Sequence, residues 1–108
     1  MKPKPVVLRR QADRDIQDAV DHYLAVAGVD TALVFVDAVE KSWAHIGRHP
    51  GAGSPKYGHE LNLPGLRHWA VKGFPHLVFY VEFRQHVEVW RVLHEKRDIP
   101  AWMQDIEG

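Results

Sequence analysis

Cysteine is absent from the chain, and that absence removes three kinds of chemistry at once. No disulfide framework can staple the fold, no thiolate can act as a nucleophile, and no cysteine-based zinc site can form. The fold must stand on burial alone, which 108 residues with 45% hydrophobic content can supply around one core. Residues 1–108 are therefore read as a single domain. A chain without cysteine also suits a reducing compartment. Long apolar runs are missing too. Nothing approaches the roughly 20 apolar residues that span a bilayer, and Val6-Val7-Leu8 is too short for the hydrophobic region of a signal peptide. A cytoplasmic, membrane-free protein is expected. Nor is there a surplus of either charge: 14 Lys and Arg balance 14 Asp and Glu. Proteins that grip nucleic acid through its phosphates usually carry a marked basic excess, so strong direct nucleic-acid binding is not expected.

What is present is a change of period along the chain. Pro5 to Arg10 reads as a short strand behind a proline-rich lead. Ala12, Ile16, Val20, Tyr23, Leu24 and Ala27 then recur at helical steps, with Arg14 and Asp18 spaced for an i,i+4 pair. Gly28 stands where a left-handed residue would close that helix. Asp30 is placed to cap a second helix running to about Arg48, with Ala32, Val36, Val39, Trp43 and Ile46 as its stripe. The short link folds the pair into an antiparallel hairpin. Leu33, Val34, Phe35 and Val36 make its first turn apolar nearly all round, either from deep burial or as a partner surface.

His49 to Gly65 reads as a loop rich in glycine and proline. Strands follow at Leu66–Val71, at His76–Phe83 and at Val87–Leu93, closely spaced as in an antiparallel meander. The middle one is almost continuously apolar, as a strand covered on both faces would be. Pro100 can begin a helical turn in the tail, Arg97 to Gly108. The expected class is α+β: a two-helix antiparallel hairpin packed on a mainly antiparallel twisted sheet, in the order β-α-α-β-β-β.

Several local features then converge. Arg48-His49-Pro50 ends a helix with Gly51 and Gly53 soon after, and Leu66-Arg67 opens a strand. Gly73-Phe74-Pro75-His76-Leu77-Val78-Phe79-Tyr80 and Val92-Leu93-His94-Glu95-Lys96-Arg97-Asp98 complete the set. In this order they resemble the RelE/ParE superfamily of bacterial type II toxins, in particular its ParE-like branch, over Val6 to Met103. The resemblance implies a toxin neutralised by a cognate antitoxin whose C-terminal segment folds onto it. It implies DNA gyrase as the target for the ParE-like branch, and cleavage of messenger RNA on the ribosome for the RelE-like branch.

Cleavage of RNA needs a base, an acid and cations around the phosphate. Arg67, Arg91, His94, Lys96 and Arg97 could supply these if they gathered on one sheet face. The set is incomplete, because the preceding loop offers only Lys56 and the tail offers Trp102 in place of a tyrosine. Plainer roles stand beside these. Arg67 and Arg91 could pair with Glu82 or Glu88, and Arg97-Asp98 could anchor the tail. Leu33, Val34, Phe35 and Trp102 are the candidate partner contacts, with Trp102 alternatively a latch on the sheet. Trp43, Trp69 and Trp90 read as core. His45 and His49 share an i,i+4 spacing but lack a third ligand. Ser42 and Ser54 sit in no nucleophile elbow, and Gly51-Ala52-Gly53-Ser54-Pro55 lacks the lysine of a phosphate loop. Neither a metal nor a cofactor is expected.

Overall fold

A computed structural model describes residues 2–103; Met1 and the last part of the tail, 104–108, lie outside the described residues. The first strand, β1 (Val6–Leu8), leads directly into helix α1 (Arg10–Val26), and α2 (Val29–Arg48) follows almost at once. Gly28 makes this link short. Its φ of 95° lies in the left-handed region that favours glycine, and its N–H and that of Ala27 both donate to the Tyr23 carbonyl. Asp30 consequently sits in the first turn of α2 rather than at its cap, where its charge still suits the helix dipole.

The buried stripe of α2 is Ala32, Phe35, Val39, Ser42 and Ile46, rotated from the expected one. Val36 and Trp43 are only half-buried. Ser42 can occupy the inner face because its hydroxyl donates to the Ala38 carbonyl, 3.0 Å away, and leaves no polar atom unpaired. The expected Arg14–Asp18 pair does not form among the described residues; the i,i+4 bridge lies on α2, between Lys41 and Asp37.

Strands β2 (Leu66–Ala70), β3 (His76–Glu82) and β4 (Val87–His94) form the antiparallel meander, and β1 adds to β4 in parallel, giving the order β1-β4-β3-β2. A bulge interrupts β3–β4. Phe79 faces Arg91 and Tyr80 faces Val89, so Trp90 is the extra residue. Helices α1 and α2 cover one face through Ala12, Phe35, Val39 and Ile46, packed on Val78, Tyr80, Val89 and Val92. The opposite face carries Leu66, Phe79 and Leu93, and it is covered as well.

That second cover comes from a stretch read as loop. It contains a 3-10 turn (Pro50–Ala52) and helix α3 (Lys56–Glu60). Tyr57 and Leu61, one helical turn apart, pack on the sheet. Gly58 hid the helix from propensity, yet it is required there, because a Cβ would lie 2.5 Å from the Leu66 carbonyl oxygen. The turn anticipated at Pro100 is helix α4 (Ile99–Met103), whose Ile99 and Met103 complete the cluster.

Tyr80 ties the 3-10 turn to the sheet. Its buried hydroxyl donates to the Pro50 carbonyl at 2.7 Å and accepts the Gly53 N–H at 2.9 Å. Tyr80→Phe strands both backbone groups and is expected to cost about 2 kcal/mol. Urea denaturation of the variant tests this, and a loss below about 0.5 kcal/mol would mean that water replaces the hydroxyl.

Candidate functional site

The five residues considered for nuclease chemistry do not all assemble: His94 and Arg97 line one cavity, whereas Arg67 lies apart on the other sheet face from Arg91. Arg67 opposes Tyr80, which packs under the helices, whereas Arg91 opposes Phe79 on the other face. The pleat therefore separates the two guanidinium groups, contrary to the expectation of one shared face. Neither uses Glu82 or Glu88. Arg67 Nη1 donates to the Gly53 carbonyl at 2.7 Å. Glu82 is taken by Lys4 at 2.6 Å and Glu88 by Arg9 at 2.5 Å. Burial alone would raise the Glu88 carboxyl, but hydrogen bonds from Arg9, His86 and Trp90 outweigh it and hold the group below its ordinary range.

Arg91 reaches around the sheet to α1. Its Nε and Nη2 each meet a carboxylate oxygen of Asp15 at 2.8 Å. Both side chains are nearly buried, at 7% and 12% exposure. Asp15 also accepts the Val92 N–H at 2.9 Å. Beyond Val89, β1 no longer pairs with β4, so this carboxylate caps a strand edge that would otherwise keep an unpaired donor.

The end of β4 turns tightly. His94 Nδ1 accepts the Lys96 N–H at 3.1 Å, and the His94 carbonyl accepts the Arg97 N–H at 2.9 Å. Arg97 and Asp98 are not an ion pair, correcting the anchoring role considered for them. Asp98 Oδ1 instead accepts the Ala101 N–H, and the Arg97 guanidinium lies 4.5 Å above the Trp102 ring. Trp102 packs against the outer sheet cluster, which is the latch reading of this residue. Lys96 is exposed.

Between α1 and the ends of β3 and β4 lies a cavity of about 300 Å³, lined by Asp18, His22, His76, His94, Arg97 and Trp102 among others. His76 is the residue that sequence reasoning missed. It opens an apolar strand, and its ring sits 5.0 Å from that of Phe35 and 5.4 Å from that of His94. Burial, then the positive neighbours His94, His22 and Arg97, depress its pKa to about 4, so the imidazole is neutral at physiological pH. The sequence signal was a lone histidine at the head of an otherwise hydrophobic run.

The helical hairpin offers the other surface. Leu33 and Val34 are 62% and 59% exposed, and Leu24, Val26 and Val29 at the same tip are exposed with them. Phe35 is fully buried and cannot serve as a surface contact in this conformation, correcting the expectation that grouped it with Leu33 and Val34. Its ring packs on Tyr23, Phe74 and His76 instead. Trp43, Trp69 and Trp90 pack against the two clusters. His45 stacks on Trp69 at 4.1 Å, with His49 beside it. Among the described residues no group of three or more metal-ligating side chains converges, and no helix is long and apolar enough to cross a membrane.

The helical hairpin seated on a mainly antiparallel four-stranded sheet is a fold found among toxins of type II toxin-antitoxin systems, as the family match shows. A family model described as "ParE toxin of type II toxin-antitoxin system, parDE" matches residues 6–99, so the chain belongs to the ParE toxin family. The fold is similar to a solved chain titled "Chromosomal ParDE TA system from P. aeruginosa", with a TM-score of 0.72 and 20% identity over 84% of this chain and 95% of that one. No curated protein sequence matches.

Proposed function

We propose that this protein acts in the cytoplasm as a ParE-like toxin that arrests growth by binding its target, with DNA gyrase as that target. A cognate antitoxin with a small, helix-prone C-terminal segment silences it by covering the tip of the helical hairpin. The observation that supports this best is the exposed apolar set Leu24, Val26, Val29, Leu33 and Val34 on neighbouring helix ends. Apolar side chains exposed together at one end of a helical hairpin suit a binding surface, and an amphipathic partner helix is the matching shape. The rival reading, a RelE-like ribosome-dependent nuclease, loses support from the structure. Arg67 and Arg91 lie on opposite faces, and both are committed to internal partners.

Expression alone is expected to inhibit growth, and co-expression with the neighbouring small open reading frame should relieve it. Introducing Leu33→Glu and Val34→Glu together should weaken the partner complex by about 2 kcal/mol or more, roughly thirtyfold. Because both positions are exposed, stability should stay within about 0.5 kcal/mol. Titration calorimetry beside thermal melts reads both quantities. Healthy growth at high soluble expression without the partner would sink the toxin reading, and tight partner binding without toxicity would indicate an inactive family member. Cleaved translated messages with gyrase supercoiling intact would move the activity to the nuclease branch.

A further inference from the structure

We propose that the cleft between α1 and the ends of β3 and β4 binds a monocarboxylate, gripped by Arg97 and by the imidazoles of His76 and His94. Four observations converge on this. Arg97 has no carboxylate within ion-pair distance among the described residues; its guanidinium carbon lies 4.5 Å above the Trp102 ring, and a guanidinium can offer a fork of N–H groups to two oxygens. His94 accepts a backbone N–H at Nδ1, so in the neutral ring the hydrogen resides on Nε2, a second donor at the cavity. His76 lines the same cavity at only 8% exposure, with its ring 5.4 Å from that of His94. The cavity of about 300 Å³ has room for a carboxylate and the carbons behind it.

Charge selects the ligand class. Asp15 also lines the cavity, but Arg91 and the Val92 amide occupy its oxygens. Asp18 is exposed at the rim and carries a charge that opposes an anion. Arg97 and Asp18 cancel in net charge, so a carboxylate is held by the local donors and a phosphate dianion is disfavoured. The charged and titratable groups that line the cavity with His76 are Asp15, Asp18, His22 and Tyr23 from α1, His94 from β4, and Arg97 after it; Phe35 of α2, packed on the ring, adds no charge. Burial and then the positive neighbours keep the His76 ring neutral. A carboxylate placed among them offsets the second effect and favours the protonated ring, so binding should strengthen as pH falls.

The carboxylate can be a free small acid or an Asp or Glu side chain of a bound protein. The test uses the full-length chain with isotope-labelled histidine, titrated with sodium acetate and separately with sodium chloride at equal ionic strength. Saturable imidazole shifts confined to His22, His76 and His94 are expected with acetate only. Binding should be tighter near about pH 5.5 than near about pH 7.5. Arg97→Gln should weaken acetate binding about tenfold, whereas Asp18→Asn should strengthen it. Opposite signs at one cleft cannot arise from general misfolding. The antitoxin complex supplies the second arm. Weaker partner affinity in Arg97→Gln assigns the carboxylate to the partner, and unchanged affinity with acetate binding retained in the parent assigns it to a free acid. Shifts no larger than those in chloride, or tighter binding of phosphate than of acetate, would overturn the proposal.

Discussion

Replacing Asp15 with alanine is expected to cost about 3–5 kcal/mol, the loss typical of removing one member of a buried ion pair. The carboxylate accepts three hydrogen bonds, two from the Arg91 guanidinium and one from the Val92 amide. Removing it leaves a guanidinium nearly shut off from water and an unpaired donor on the strand edge. Arg91 Nη1 also reaches the Trp102 carbonyl at 3.4 Å, a long contact to a neutral acceptor. Asp13→Ala on the exposed side of the same helix should stay within about 0.5 kcal/mol. The double replacement Asp15→Leu with Arg91→Met should recover most of the loss, because two apolar side chains leave no charge to desolvate. Urea denaturation midpoints with unchanged slopes measure all three. If Asp15→Ala melted like the parent, the pair would be solvated and the link from α1 to β4 would be unimportant to the fold.

The second large effect belongs to Phe35. Phe35→Ala should destabilise by about 3–5 kcal/mol, since the ring is fully buried against Tyr23, Phe74 and His76. The contrast with Leu33 and Val34, two positions and one position earlier, is the informative part. Those two should alter partner affinity with little change in melting temperature, whereas Phe35 should alter melting and affect affinity only by unfolding the site. A soluble, parent-like Phe35→Ala variant that failed to bind the partner would return Phe35 to the interface and refute the packing described for α2.

This contrast also shows how far the sequence could be read. Four consecutive apolar residues, Leu33 to Val36, fix a helix but not its rotation, because every rotation buries something. The decisive residue was Ser42, a polar side chain on the inner face whose hydroxyl bonds to its own helix. The order of elements and the strand positions were legible, because turn residues and apolar runs are local signals. The partners of Arg67 and Arg91 were not. Asp15 and Gly53 lie far from them in sequence, and the bulge at Trp90 changes which neighbours share a face. For the same reason the cleft around His76 was invisible: its walls come from α1, two strand ends and the tail.

The parallel seat of β1 on β4 has a consequence for synthesis. Val6 pairs with Val87, so the first strand made is the last to find its place, and closing so long a loop is slow. Until β4 has left the ribosome, the chain has no slot for its own beginning, and a product of interrupted translation cannot assemble this sheet. The sheet is therefore complete only once the last strand has been delivered.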